Sequence, residues 1–291
     1  MSRFTFSGHE TFHCRQLWLK KGYDFLRNNR RFTDESAVVE LGVGRNMVTA
    51  IRYWLRVFEL VDENDEPQEI ADYLFADNGK DPYLEDIGTL WLLHYFLVTR
   101  SKASVFSLVF NEFRKERVEF DKDHLKSFIR RKCKEHNAPF NPNTISNDIN
   151  VFIKTYLQPK NKTKNIEDDF AGLLIELGLL QQSERFETGS SSWYKIESKE
   201  REEIPLEIVL YSILDNEKYG DSISFNELLN GYNSVGVVYA LNASGLMGKV
   251  ERLSKKYPYI VFSDVAGVRE VQFKERPDKW EILNQYYESP I

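Results

Sequence analysis

The sequence predicts a mainly α-helical protein with an N-terminal helix-turn-helix module of winged-helix type, a helical middle region and a C-terminal winged helix. Apolar residues recur every three or four positions along much of the chain, which is typical of amphipathic helices. A helix–glycine–helix pattern lies near the start, and the last module contains two short strand patterns. We therefore expect modules at residues 1–100, 101–200 and 201–291.

The composition is that of an ordinary folded protein, with 42% hydrophobic and 29% charged residues. Its 291 residues exceed the size at which one hydrophobic core grows efficiently, which favours more than one module. We find no window suited to a membrane span and no signal segment. Two cysteines, Cys14 and Cys133, are too few for a disulfide framework, so a cytoplasmic protein without a membrane partner is expected.

The charge balance bears on the choice of partner. The net charge of -6 argues against non-specific coating of nucleic acid, although local basic faces remain compatible with DNA contact. The segment 121–136 is one such basic amphipathic pattern, and 159–165 is a basic polar linker. Charge alone therefore leaves a DNA partner open.

Helical periodicity and turn signals order the elements along the chain. A candidate helix cap precedes residue 37, and an acidic run with Pro67 interrupts the pattern at 62–67. A turn is expected at 189–192, between two short strands. In the first two modules, helices are predicted at 17–25, 37–41, 45–60, 87–99, 104–117, 121–136, 144–156 and 170–180.

The last module has the element order of a winged helix. A helix is expected to start at Pro205. Three helices and a hairpin closed by Val265, Ala266 and Gly267 follow it. The helices are predicted at 225–229, 235–241 and 246–256, and the strands at 259–264 and 268–273.

The stretch SAVVELGVGRNMVTAIRYWL, residues 36–55, predicts the helix-turn-helix. Gly42 stands where the tight turn needs a positive φ. The residues that pack inward leave a polar and basic outer face, and Trp54 is expected inside. That outer face suits base edges and phosphates, and it carries Arg45, Asn46, Thr49, Arg52 and Arg56 as candidate DNA-binding residues. A helical hairpin with only a structural role is the alternative.

The opening stretch GHETFHCR concentrates chemically capable side chains. His9, Glu10, His13 and Cys14 are of the types that ligate metals, although no Cys-x-x-Cys or His-x-x-x-His pair supports zinc. An ion pair between Glu10 and Arg15 that ties down the N-terminus is the structural alternative.

The turn DPYLED, residues 81–86, is a second acidic group. Asp81, Glu85 and Asp86 are carboxylates of the kind that hold a divalent ion, and such an ion can activate water against a phosphodiester. Capping of the helix that follows is the favoured alternative. His94 is a candidate general base or a core histidine.

The segments GHETFHCRQLWLKKGYDFL, LGVGRNMVTAIRYWL and DPYLEDIGTLWLLHYFL resemble the SspB-like proteins, a family of bacterial DNA phosphorothioation and phage-defence operons. The resemblance implies duplex DNA binding and nicking of one strand so that sulfur can enter the backbone. It also implies sulfurtransferase and ATPase partner proteins from the same operon. The motif positions are Gly8, His9, Glu10, Thr11, Arg15, Gly42, Asn46, Arg52, Trp54, Asp81, Pro82 and Trp91.

Within a nicking protein these motifs predict a site. His9 would move the proton, Glu10 would orient it or hold metal, and Arg15 would clamp the phosphate. The candidate catalytic residues are His9, Glu10, Arg15 and Asp81, and the candidate ligands of Mg²⁺ or Mn²⁺ are Glu10, Asp81 and Glu85. A non-catalytic DNA-binding adaptor or transcription regulator is the main alternative, and a protein-binding scaffold is the third.

Overall fold

The computed structural model describes residues 4–158, 172–183, 192–265 and 267–289. The chain forms two compact units, Met1–Ile196 and Glu197–Ile291. In the described residues helices predominate over two small sheets, so the mainly α class is confirmed. The three-part division stays a prediction. No helix in the described ranges is long and apolar enough to span a membrane.

The helices of the first unit follow the predicted order, with ends that differ by a few residues. One further helix, α4, lies between the helix-turn-helix pattern and the acidic turn. Its helices are α1 (Trp18–Arg27), α2 (Ala37–Leu41), α3 (Arg45–Val57), α4 (Glu69–Phe75), α5 (Ile87–Thr99), α6 (Ser104–Leu108), α7 (Arg114–Glu116), α8 (Lys122–Glu135) and α9 (Pro142–Tyr156).

Helix α5 is the centre of the first unit because it is apolar on all sides. Eleven consecutive residues, 88–98, are buried. Asp86 caps its N-terminus by accepting the backbone N–H of Thr89 at 2.9 Å. A helix without a polar face is stable only inside a core, so α5 orders the helices around it.

The predicted helix 104–117 is interrupted. Helices α6 and α7 are joined by a π-helical turn, Val109–Phe113, in which each hydrogen bond spans one residue more than in an α-helix. Val109, Phe110 and Phe113 of this turn are buried. The periodicity of apolar residues identified the helical segment but not its change of pitch.

A small antiparallel sheet completes the first unit. Its strands β1 (Glu119–Phe120), β2 (Gln181–Gln182) and β3 (Tyr194–Lys195) lie in the order β1-β3-β2. Pairing of β2 with β3 agrees with the predicted pair of strands. The helix predicted at 170–180 is wrong over the described residues 172–180, where only a short 3₁₀ helix, Ile175–Leu177, forms and ends at Gly178 with φ 57°. The turn predicted at 189–192 falls mostly outside the described residues, and the linker predicted at 159–165 falls wholly outside them.

The second unit combines helices with a three-stranded antiparallel sheet of order β4-β6-β5. Strand β5 pairs with β6 from Ile260 opposite Phe273 to Val265 opposite Val268. Its elements are α10 (Leu206–Asp215), β4 (Ser222–Ser224), α11 (Phe225–Asn230), α12 (Val235–Val238), α13 (Ala243–Lys256), β5 (Ile260–Val265), β6 (Val268–Phe273) and α14 (Lys279–Glu288).

Candidate functional site

Helices α2 and α3 are joined by a short turn that begins at Gly42. Gly42 has φ 61°, as the sequence predicts, and a Cβ at this position would meet no atom within 4 Å. The backbone N–H of Val43 closes the turn on the carbonyl of Val38 at 3.2 Å. Gly44 is extended, and α3 starts at Arg45. The turn therefore leaves the first residues of α3 at the surface.

The two faces of α3 differ as the sequence predicts. Val48, Ile51 and Leu55 are buried, and Trp54 is fully buried with its indole N–H donating to the carbonyl of Phe12 at 3.0 Å. On the other face, the first turns of α3 are open to solvent. Arg45, Asn46 and Thr49 are exposed.

The last two arginines of α3 are held by one carboxylate. Arg52 Nε lies 2.8 Å from Asp65 Oδ2, and Arg56 Nε lies 2.8 Å from Asp65 Oδ1. The Asp65 side chain is only 14% exposed, which strengthens these charge-assisted hydrogen bonds. Arg52 and Arg56 therefore lie on the outer face in an ion pair with Asp65, and their part in DNA binding stays a prediction.

The turn that presents Asp65 is itself ordered by hydrogen bonds. The carboxylate of Asp62 accepts the backbone N–H groups of Asn64 at 2.7 Å and Glu66 at 2.9 Å. The bond from Glu66 is the main cause that lowers the pKa of Asp62. Val61 bridges Pro67 at the base of the turn. Hydrogen bonds within this loop thus help to hold Asp65 in position beside the two arginines.

His9 lies in a buried network instead of an open site. Its ring Nε2 lies 2.7 Å from Asp148 Oδ1, and its Nδ1 accepts the backbone N–H of Thr11 at 3.1 Å. Because Nδ1 is an acceptor, Nε2 carries the hydrogen and donates to Asp148. The carboxylate of Asp148 also accepts the backbone N–H of Ser7. Both nitrogens of the proposed proton carrier are therefore engaged within the protein.

The network packs against the inner side of α3. The His9 ring stacks on Trp54 at 6.4 Å between centroids and meets Tyr53 edge-on at 5.7 Å. Burial, with a smaller contribution from Asp148, raises the pKa of Tyr53 far above its usual value. Gly8 has φ 101°, and a Cβ there would lie 2.6 Å from the Tyr53 ring. The glycine before His9 is thus required by this close approach.

The other residues of the opening stretch have different surroundings. Glu10 is exposed, whereas His13 and Cys14 are buried. The Arg15 guanidinium lies over the Trp18 ring at 5.0 Å, and the Arg15 backbone bridges Gly172. In the described part of the chain no ion pair joins Glu10 to Arg15. The stretch is held by the hydrogen bond between His9 and Asp148, by ring contacts and by backbone bonds.

In the acidic turn before α5, the aspartate carboxylates accept hydrogen bonds from backbone N–H groups. Asp81 is buried and accepts the N–H groups of Glu85 at 2.9 Å and Asp86 at 3.1 Å. Asp86 caps α5, in agreement with the capping alternative. Glu85 is exposed. His94 is fully buried, with Nδ1 2.8 Å from the hydroxyl of Tyr156, which is the arrangement of a core histidine.

The described residues do not form a cluster of ligands for a divalent cation. Among the residues that the structure describes, no group of three or more His, Cys, Asp or Glu could hold a metal ion. The predicted ligands Glu10, Asp81 and Glu85 form no such group, so the residues present do not fit Mg²⁺ or Mn²⁺. The assignment of these residues as ligands stays a prediction.

Asp148 is the residue of this region that the sequence interpretation missed. It lies on α9 between Ile145, Ile149 and Phe152, all of them buried. A carboxylate on an otherwise apolar helical stripe is costly unless it is paired, so its position was a signal for a buried partner. The partner itself, His9, is 139 residues away in sequence.

Comparison with known proteins identifies the family. The family described as Protein of unknown function (DUF4007) matches residues 6–287. A crystal structure of magnesium ion-bound SspB superimposes with a TM-score of 0.85 at 28% identity, covering 98% of this chain and 88% of that chain. A second SspB crystal structure gives 0.84 and 29%, with the same coverage. No curated protein matches the chain. The predicted resemblance is confirmed, and the chain belongs to the DUF4007 family, with close structural similarity to SspB.

Proposed function

We propose that this protein binds duplex DNA in a DNA phosphorothioation and anti-phage system and nicks one strand so that sulfur can be placed in the backbone. Similarity to SspB over 98% of the chain supports the link to phosphorothioation. We expect it to act in the cytoplasm with sulfurtransferase and ATPase partners. The single observation that carries DNA contact is the exposed N-terminal end of α3 after the turn at Gly42.

The exposed residues of α3 have the chemistry of a recognition helix. In helix-turn-helix proteins, the first residues of the second helix reach base edges in the major groove. Arginine pairs with guanine and asparagine with adenine, while a hydroxyl suits phosphate. Arg45, Asn46 and Thr49 supply these three groups on one exposed face. Arg52 and Arg56 would join them only after release from Asp65.

The second unit supports the proposal through its element order. We propose that this unit is a winged helix, and the succession α10, β4, α11, α12, α13 and the β5–β6 hairpin supports that assignment. In this interpretation α13 is the second recognition helix and the hairpin is the wing. Exposed Val265 and Val268 lie near the tip of that hairpin.

The proposed catalytic residues differ in their accessibility to DNA. His9 and Asp81 are occupied by protein partners, so Glu10 is the most accessible of the proposed catalytic residues. Because the described carboxylates do not form a metal cluster, we derive no step through a divalent ion. Arg15 would neutralise phosphate charge if it left the Trp18 ring.

A plasmid assay tests the nicking proposal. Purified protein incubated with supercoiled plasmid is expected to yield the relaxed circle, and parallel reactions with Mg²⁺, Mn²⁺ or EDTA measure whether a divalent ion contributes. Glu10→Ala and Asp81→Asn should abolish relaxation, whereas Glu281→Ala, at an exposed position of α14, should not. Full activity in both test variants would remove these residues from the site, and no relaxation by the wild type would reject the nickase.

A non-catalytic DNA-binding adaptor or transcription regulator is the second candidate. It is favoured by the use of the Asp81 and Asp86 carboxylates on backbone N–H groups. It predicts duplex binding with a steep salt dependence and no scission. Arg45→Ala combined with Arg52→Ala should abolish gel-shifted complexes at low salt. A wild type that shifts no duplex at low salt would instead favour the protein-binding scaffold.

A further inference from the structure

Helix α8 concentrates positive charge in a protein whose net charge is -6. Its fourteen residues include six that are basic and two that are acidic, Asp123 and Glu135, so the helix carries four net positive charges. Asp123 lies in the first turn, where the helix dipole favours a carboxylate. The basic residues are Lys122, Lys126, Arg130, Arg131, Lys132 and Lys134. They divide between two flanks that have different partners.

One flank is neutralised by acidic side chains. Arg131 donates to both carboxylate oxygens of Glu116, at 2.6 and 2.7 Å. Lys132 lies 2.7 Å from Glu112 and 2.8 Å from Glu135. These two contacts raise the pKa of Lys132 above its ordinary value. The charges of this flank are already compensated within the protein.

The other flank, here called the cationic row, consists of Lys122, Lys126, Arg130 and Lys134. Lys122 Nζ donates to the amide oxygen of Asn150 at 2.7 Å, and Lys126 Nζ donates to the hydroxyl of Ser146 at 2.8 Å. The Arg130 guanidinium lies over the Phe140 ring at 4.9 Å. Among the described residues, no carboxylate forms an ion pair with the cationic row. Its charge is therefore available to an external partner.

The spacing of the cationic row follows from helix geometry. Members four residues apart lie on neighbouring turns, about 6 Å apart along the axis. The row therefore extends about 18 Å from Lys122 to Lys134. Such a line of single positive charges matches an extended polyanion better than a compact anion.

Helix α9 lies beside the cationic row and presents neutral hydrogen-bonding side chains to it. It runs antiparallel to α8, since Lys122 meets Asn150 and Lys126 meets Ser146. The carboxylate of α9, Asp148, is buried and bound to His9, so it contributes no exposed negative charge. Asn143 and Asn147 are exposed on the same helix. The surface thus combines lysine, arginine, amide and hydroxyl groups.

We propose that the cationic row of α8, with the polar face of α9, binds the phosphate backbone of duplex DNA as a contact surface separate from α3. This inference rests on the proposed function, because it requires that the protein binds DNA. Lysine, arginine, serine and asparagine are the side chains that proteins use for phosphate oxygens. Contacts of this kind add affinity without reading sequence, and they make binding depend steeply on salt.

Salt-dependent binding to a labelled duplex tests the cationic row. The variant Lys126→Gln with Arg130→Gln should lower the slope of log K against log salt by about 1.8, since each phosphate contact contributes about 0.9. The matched control is Arg131→Gln with Lys132→Gln, which removes the same charge from the acid-paired flank of the same helix. Its slope should equal that of the wild type. Circular dichroism would verify that both variants retain the native helix content.

The outcomes separate this inference from the proposed function. If Arg45→Ala weakens binding but the cationic-row variant keeps the wild-type slope, the row is not a DNA contact and an acidic protein surface becomes its partner. Equal loss in the row variant and its control would also overturn the inference, because only overall charge would then matter. A wild type that binds no duplex would reject the proposed function and the inference together.

Discussion

Helices α3 and α8 are both basic, but their charges meet different partners. In α3, Arg52 and Arg56 converge on Asp65, a single carboxylate that is 14% exposed. In α8, Lys122 and Lys126 contact an amide and a hydroxyl. The charges of Arg52 and Arg56 are therefore compensated, whereas those of the cationic row of α8 are available. The charge that a helix can offer to DNA is set by its neighbours in space as much as by its sequence.

The two helices also share a support. His9 stacks on Trp54 of α3 and bonds to Asp148 of α9, the helix that packs beside α8. His9 of the opening stretch therefore connects α3 to α9, which packs beside α8. Removing His9 should therefore lower the free energy of unfolding far more than altering either basic surface.

The largest effect is expected from His9→Ala. The substitution leaves the buried carboxylate of Asp148 without its side-chain partner and opens a gap beside Tyr53 and Trp54. Loss of one member of a buried pair typically costs about 3–5 kcal/mol. Urea unfolding followed by circular dichroism should show this loss in the free energy of unfolding.

A neighbouring substitution provides the control for His9. Glu10 is exposed, so Glu10→Gln should change the free energy of unfolding by no more than about 0.5 kcal/mol. A loss below about 1 kcal/mol in His9→Ala would contradict the role of His9 in connecting α3 to α9, because it would lie within the ordinary range of point substitutions.

An intermediate effect is expected from Asp65→Asn, which removes the charge that holds the two arginines of α3. Asparagine tolerates the positive φ of 67° at this position, so the backbone of the turn should persist. Hydrogen bonds to charged groups are worth about 1.5–3 kcal/mol, and a loss of this order is expected in stability. Duplex affinity should rise, and its salt slope should steepen by up to about 1.8 as the two arginines become free.

Glu116→Gln is the matched variant for the other basic helix. It releases Arg131 from an exposed ion pair on the compensated flank of α8. Such pairs contribute about 0–1 kcal/mol, and DNA affinity should not change, because Glu135 still lies 3.7 Å from Arg131 and compensates its charge. Unchanged affinity in Asp65→Asn would mean that Arg52 and Arg56 serve the fold and do not reach DNA.

The smallest effect is expected from Asn141→Ala, which removes the cap of α9. The side chain of Asn141 accepts the backbone N–H groups of Asn143 at 2.9 Å and Thr144 at 3.2 Å. Loss of such a cap costs about 1 kcal/mol, measurable as a small fall in the unfolding midpoint. The salt slope of DNA binding should stay at the wild-type value, because no charge changes. A changed slope would show that the polar face of α9 depends on its capped end.

Local patterns in the sequence were enough to predict the positions of most helices. Predicted segments 37–41 and 87–99 agree with α2 and α5 at both ends, and Gly42 has the positive φ that the turn requires. These features depend on residues within a few positions of one another. The short helix α4 and the π-helical turn at Val109–Phe113 were missed, because acidic residues and a change of pitch weaken the apolar period.

The candidate site was predictable only as a set of residues. His9 and Asp81 stand in conspicuous motifs, yet one is bound to Asp148 and the other to backbone N–H groups. Asp65 belongs to an acidic run that was interpreted as a break between helices. Nothing in that run predicted that Asp65 would pair with two arginines. Pairings of this kind depend on how loops return to helices, which residue spacing does not encode.

The sequence by itself determined the helical class, the order of the elements, the turn at Gly42 and the family, because periodicity, glycine and motif are local properties of the chain. Tertiary structure alone decided which charged side chains are compensated within the protein and which are available to a partner. Asp148 reaches His9 across 139 residues, while Asp65 reaches Arg52 across 13. A charged side chain acquires its role from the partner that folding brings within about 3 Å of it, and hydrogen bonds act only over such distances.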